Sequence, residues 1–317
     1  MKKNIFFILF IFVFFSSGYA AGKVYIGMTN TSSTVLLEDN SCSYNENLWK
    51  QDEFGSIYES YIEYINNFLE RNFAVQDTNG GIIYNKYYSD FSKLTEIQIG
   101  NIFYVSTTDG VFESKVTGYI FYPDDSYTGS NVFYVLLEVN NSKPFESRTP
   151  VIISENPRMS ELIPEENFSS VMYKAGIDVV KKNTLGRKFT GYNFEDNKET
   201  GEEFTEFSEE DFRLFKGKFT QTAEDEYITN LSSRFSFMYY VNATYIINKE
   251  SEIIIKIAEP NEKDFNYYVV KGIADIDNDG IDEILIDIGY YEGTGLYLHK
   301  FDGNEFKIIA EGFIAGV

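Results

Sequence analysis

The chain has 317 residues, 43% hydrophobic and 17% aromatic, so it can bury a large core and is not a disordered polyelectrolyte. Its 49 acidic residues against 27 basic ones give a formal charge of −22, which argues against nucleic acid and anionic lipid as partners because both require basic surfaces. A single cysteine, Cys42, excludes an internal disulfide, and a single histidine, His299, excludes zinc sites rich in His and Cys.

Met1-Lys2-Lys3 precedes an apolar run from Ile5 to Phe15, and small residues follow at Gly18 and Ala20. A positive start, a short apolar stretch and a small-residue exit predict a signal peptide over residues 1–20. The run is well short of the roughly 20 residues needed to span hydrocarbon. No later segment reaches that length, so the mature chain is expected to be secreted or periplasmic, with no transmembrane segment after cleavage. No Cys adjoins the cleavage point, which argues against a lipid anchor. Loss of the leader's two lysines takes the formal charge to −24.

Residues 22–143 read as an α+β domain. Val24 to Leu37 is strand-like. Ser56 and Glu59 form a capping box, and Tyr58, Tyr61, Ile65 and Phe68 then recur at helical spacing, which predicts one amphipathic helix. Asn79-Gly80-Gly81 and Asp109-Gly110 are hairpin turn signals. The β-branched and aromatic runs Ile82–Tyr88, Ile97–Ser106, Val111–Tyr122 and Val132–Val139 lie around them. Pro144, Pro150, Pro157 and Pro164 then cluster among polar residues, predicting a linker over 144–168.

Residues 169–317 read as a β-rich domain. Ser208-Glu209-Glu210-Asp211 predicts a short helix that Gly217 would stop. Strands are expected over Phe235–Ile247, Glu252–Ala258, Tyr267–Ile273 and Glu283–Ile288, with a last hairpin turning at Asp302-Gly303-Asn304.

Between two of those strands lies Asp275-Ile276-Asp277-Asn278-Asp279-Gly280-Ile281-Asp282-Glu283. Carboxylates stand at positions 1, 3, 5 and 9, with Gly at 6. Calcium takes six to eight oxygens, and alternating Asp residues in a tight loop aim several at one point. The expected ligands are Asp275, Asp277, Asp279, the Ile281 carbonyl and Glu283, with Asp282 pointing away into solvent. An EF-hand needs a bidentate carboxylate at position 12 and helical flanks, but position 12 is Ile286 and both flanks are apolar β runs. Magnesium is disfavoured because a flexible loop with many carboxylates suits the larger ion.

Gly272-Ile273-Ala274 through Ile284-Leu285-Ile286 resembles the FG-GAP/VCBS repeat of integrin-like β-propellers. The resemblance implies a loop joining two antiparallel strands with calcium held in it. It covers one hairpin, whereas a propeller needs several. The segment Gly217 to Ile228 reads either as a degenerate second copy lacking the Asp ladder or as a helix capped by Thr222.

Catalytic readings find little support. His299 lies in a strand-like run, where it reads as a surface or satisfied residue, and nothing beside Cys42 suggests an activated thiolate. Phosphate-loop and dinucleotide fingerprints are absent. The tyrosine pairs Tyr87-Tyr88, Tyr239-Tyr240 and Tyr290-Tyr291 suit packing better than sugar stacking. The expectation is a mainly β, α+β protein: exported, calcium-stabilised and non-catalytic, binding an extracellular protein or glycan or serving as a structural part of the cell envelope. The alternative is a secreted hydrolase that uses acidic residues, with the calcium loop as an accessory.

Overall fold

The computed structural model describes residues 23–30, 33–39, 88–122, 132–141, 143–146, 148–166, 170–193, 197–220, 222, 225–236, 239–290 and 293–316. The leader, Cys42, the helix expected from Ser56 and the Asn79-Gly80-Gly81 turn lie outside them. The described residues are mostly β, arranged in antiparallel sheets.

Strands β1 (Val24–Thr29), β2 (Thr34–Glu38), β3 (Ile102–Thr107), β4 (Gly110–Tyr122), β5 (Val132–Val139) and β6 (Pro150–Ser154) close into a barrel in the order β1-β2-β5-β4-β3-β6. Alternation along the strands sends Val35, Leu37, Phe103, Val105, Phe133, Val135 and Leu137 inward. The short helix α1 (Tyr88–Phe91) adds Phe91 to that core.

Here the structure differs from the linker expected over 144–168. Pro150 occupies the first position of β6, where a missing N–H is tolerated, and Val151, Ile152 and Ile153 are fully buried. β6 pairs with both β1 and β3, so this stretch is the stave that closes the barrel. After it, Ile163 bridges to Ile273 in the C-terminal sheet.

Helix α2 (Val171–Thr184) follows, N-capped by Ser170, whose Oγ accepts from the Tyr173 N–H. Tyr173, Ile177 and Val180 form its apolar stripe. A two-stranded ribbon, β7 (Lys188–Asn193) and β8 (Lys198–Glu203), comes next. The helix expected from Ser208 is only a 3₁₀ turn, Glu209–Asp211, which runs straight into a strand. The reason is alternation: Phe212 and Leu214 face α2 while Phe215 faces the opposite side, a period of two that a helix cannot satisfy.

Two four-stranded meanders complete the chain. The first holds β9 (Phe212–Gly217), β10 (Glu226–Arg234), β11 (Tyr240–Asn248) and β12 (Ile253–Ala258). The second holds β13 (Tyr267–Ala274), β14 (Glu283–Tyr290), β15 (Gly293–Phe301) and β16 (Phe306–Gly316). The meanders pack face to face through Phe215, Phe219, Ile228 and Ile246 against Val270, Ile273, Ile284 and Ile286. Asn230 stitches them, accepting from Val270 N–H at 3.1 Å and donating to the Tyr268 carbonyl at 2.8 Å. The second meander turns its other face, with Leu285, Leu296 and Leu298, onto Ile26 and Ile152 of the barrel. The layers therefore run helix, sheet, sheet, barrel. Each fully buried Ile or Leu in these seams contributes about 1.5–3 kcal/mol. No helix among the described residues is long and apolar enough to cross a membrane.

Candidate metal centre

The Asp ladder forms the turn between β13 and β14. Two positions bend it: Asn278 and Gly280 adopt φ of 62° and 84°. Asparagine tolerates that left-handed region and glycine enters it freely. Asp275 organises the turn from inside, its Oδ1 accepting the Asp279 N–H at 3.1 Å and its Oδ2 the Gly280 N–H at 2.9 Å. Asp279 Oδ1 accepts the Ile281 N–H at 2.8 Å.

These bonds bring Asp275, Asp277 and Glu283 together, each offering an oxygen within 4.8 Å of the others. Glu283 is fully buried, and its Oε2 accepts the Ile276 N–H at 2.8 Å. Asp277 Oδ1 is buried with no hydrogen-bond partner among the described residues. Asp279 is not part of the trio but is drawn to it by a shared neighbour, Lys300. That ammonium donates to Asp277 Oδ2 at 2.7 Å, Asp279 Oδ2 at 2.8 Å and Glu283 Oε1 at 2.7 Å.

Electrostatics follow from this crowding. Burial pushes Glu283 up to about 7, against the opposing pull of the Lys300 ammonium and the Ile276 N–H. Burial acts to lower Lys300, but its bonds to Asp277, Asp279 and Glu283 win and hold it above its ordinary value.

Several residues at the site had no signal in the sequence. Ser160 receives the Asp275 N–H on its Oγ at 2.7 Å and donates its own N–H to the Asp275 carbonyl at 2.8 Å. Asn156 donates to the Ile276 carbonyl at 2.8 Å. Both belong to the stretch expected to be a free linker, and both fix the loop's first turn. Lys300 was legible only by register, since Ile284 pairs with His299 and the next step sets Lys300 across from Glu283.

Two expectations are corrected. Asp282 is not solvated; it is 8% exposed, and its Oδ2 accepts the Lys218 N–H at 2.7 Å while its own N–H donates to the Lys218 carbonyl at 2.7 Å. Close approach of the two hairpins explains this, because a Cβ on Gly217 would lie 2.8 Å from that same Asp282 oxygen. His299 is half-buried, and its Nδ1 is enclosed with no hydrogen-bond partner among the described residues. It lies across from Ile284, whose side chain enters the seam between the sheets.

Glu226, Tyr227 and Ile228, which a helix capped by Thr222 would include, open strand β10 instead. No family model, curated protein or solved structure matches the chain.

Proposed function

We propose that this is an exported, non-catalytic binding or structural protein of the cell envelope or extracellular space, with a C-terminal hairpin that calcium stabilises. One observation carries the reading: Asp275, Asp277 and Glu283 converge within 4.8 Å on a loop whose Asp277 Oδ1 lacks a partner among the described residues. The donors are all hard oxygens, which suit calcium better than metals that prefer nitrogen or sulfur. Asp275, Asp277, Asp279, the Ile281 carbonyl and Glu283 are the ligands in this reading, and it keeps the resemblance to an FG-GAP/VCBS hairpin. Calcium would neutralise the ladder and draw the turn tight, a structural role rather than a chemical one. The partner of the assembled protein is an extracellular protein or glycan.

The alternative, a secreted hydrolase, calls for a carboxylic acid raised by its surroundings in a cleft. The cleft of about 540 Å³ beside β1 and β2 has Glu38, Asp39 and Glu96 in its wall. There Lys23 holds the exposed Glu96 below its usual range, the opposite of what a general acid needs.

Thermal unfolding in EDTA and in millimolar calcium tests the proposal. Extracellular calcium modules bind at roughly 0.1–1 mM, so at the tighter end 1 mM calcium should stabilise the fold by about 1.4 kcal/mol. Identical midpoints in the two buffers would remove calcium from the account.

A further inference from the structure

The chain itself supplies a cation to this loop. The Lys300 ammonium sits 2.7–2.8 Å from carboxylate oxygens of Asp277, Asp279 and Glu283. These come from positions 3, 5 and 9, which are also metal ligands in the calcium reading. Calcium binds oxygen at about 2.3–2.6 Å and needs six or more of them. An ammonium already closing on three of those oxygens stands where the ion would have to go.

The first meander supplies a control for whether the hairpin needs such a lysine. Its Glu226 also opens a strand and is equally buried, and its cross-strand partner is Asn248. Asn248 is neutral and engaged in its own turn, its Oδ1 accepting the Glu250 and Glu252 N–H groups. A cation therefore stands at this register in the hairpin with the Asp ladder and not in its neighbour.

We propose that Lys300 is the resident cation of the loop and that calcium enters only by displacing its ammonium into solvent. The inference rests on the calcium reading and adds the residue that sets its affinity. Lys300 is suited to the exchange because its side chain remains 21% exposed and its stem is a flexible four-carbon chain. Exchange replaces one positive charge with two on the same carboxylates. In the metal-free loop the ammonium offsets part of the ladder's negative charge. Calcium affinity falls by the fraction of time the ammonium is out, so nine-tenths occupancy by Lys300 weakens binding roughly tenfold.

The test is calcium titration calorimetry on the full chain, with unfolding midpoints in EDTA and in calcium, for the parent and Lys300→Met. The Met variant keeps most of the stem and removes the charge. It should bind calcium roughly tenfold more tightly than the parent. Its midpoint should drop in EDTA and recover in calcium, and adding Asp277→Ala should abolish the gain. Lys300→Gln, neutral but still a donor, should tighten binding in the same way and guards against a Met variant that does not fold. Unchanged or weaker binding by both variants, in a parent that binds calcium, overturns the exchange. If neither parent nor variants take up calcium, the calcium reading falls and the exchange falls with it. A silent parent beside a Lys300→Met variant that binds would remove the calcium reading for the native chain and leave Lys300 as the resident cation.

Discussion

The hairpin loops 218–226 and 275–283 pose the same problem and solve it differently. Each joins the first two strands of a four-stranded meander, and each ends in a buried glutamate at the start of the second strand, Glu226 or Glu283, 57 residues apart. In each, that glutamate accepts the N–H of the loop's second residue, Phe219 or Ile276. In the first loop, Glu226 also takes the N–H of Thr220 at 2.7 Å, the hydroxyl of Thr222 at 3.2 Å and the hydroxyl of Thr220. Burial pushes Glu226 up, yet those bonds outweigh it and hold the carboxyl below its ordinary value. In the second loop the hydroxyls are replaced by further carboxylates, and burial takes Glu283 up to about 7. A buried carboxylate can be satisfied by neutral donors or by a cation, and its neighbours at positions 3 and 5 decide which.

The largest effect should come from breaking the neutral solution. Glu226→Leu strands the Phe219 and Thr220 N–H groups inside the seam and should cost about 3 kcal/mol, unchanged by calcium. Chemical denaturation with and without calcium checks this, and a calcium-dependent loss would erase the distinction between the loops. Next, Asp277→Ala should remove most of the roughly 1.4 kcal/mol proposed for calcium, while leaving the EDTA midpoint near that of the parent. A calcium gain that survives the substitution would mean the ion binds elsewhere. Ser160→Ala deletes the acceptor for the Asp275 N–H and should cost about 1 kcal/mol. Part of that loss should appear as weaker calcium binding by titration calorimetry.

The smallest effect is a slope against pH. At the register where the first meander has Ile247 opposite Tyr227, the second has His299 opposite Ile284. Burial lowers His299 below its ordinary value of 6.5. The unfolded chain therefore binds the proton first, so stability is intact above about pH 6.5 and is lost as pH falls below it. His299→Ile should flatten that part of the curve relative to the parent. Parallel pH curves for the two proteins would show that His299 does not titrate between the folded and unfolded states.

Strands such as Val132–Val139 and Tyr267–Ala274 were legible because β-branched and aromatic residues alternate there between marked turns. The Asp ladder was legible because its spacing is local. Barrel closure was not, because β6 pairs with β1 more than a hundred residues away and its Pro150 imitates a linker. Helix α2 escaped notice because Gly176 and several lysines dilute the spacing of Tyr173, Ile177 and Val180. The clamps at Ser160 and Asp282 join segments 115 and 64 residues apart, and no local pattern encodes such contacts.

The second meander is covered on both faces over much of its area, with the barrel on one side and the first meander on the other, while Lys307, Ile308 and Ile309 of β16 stay exposed. The chain therefore cannot be divided into self-sufficient pieces by trimming its C-terminal end. Deleting residues 267–316 would uncover Ile26 and Ile152 on the barrel and Phe215 and Ile228 on the first meander at once. Both remnants would present sticky apolar surfaces to other molecules. A shortened protein of this kind should aggregate rather than survive as a smaller soluble one.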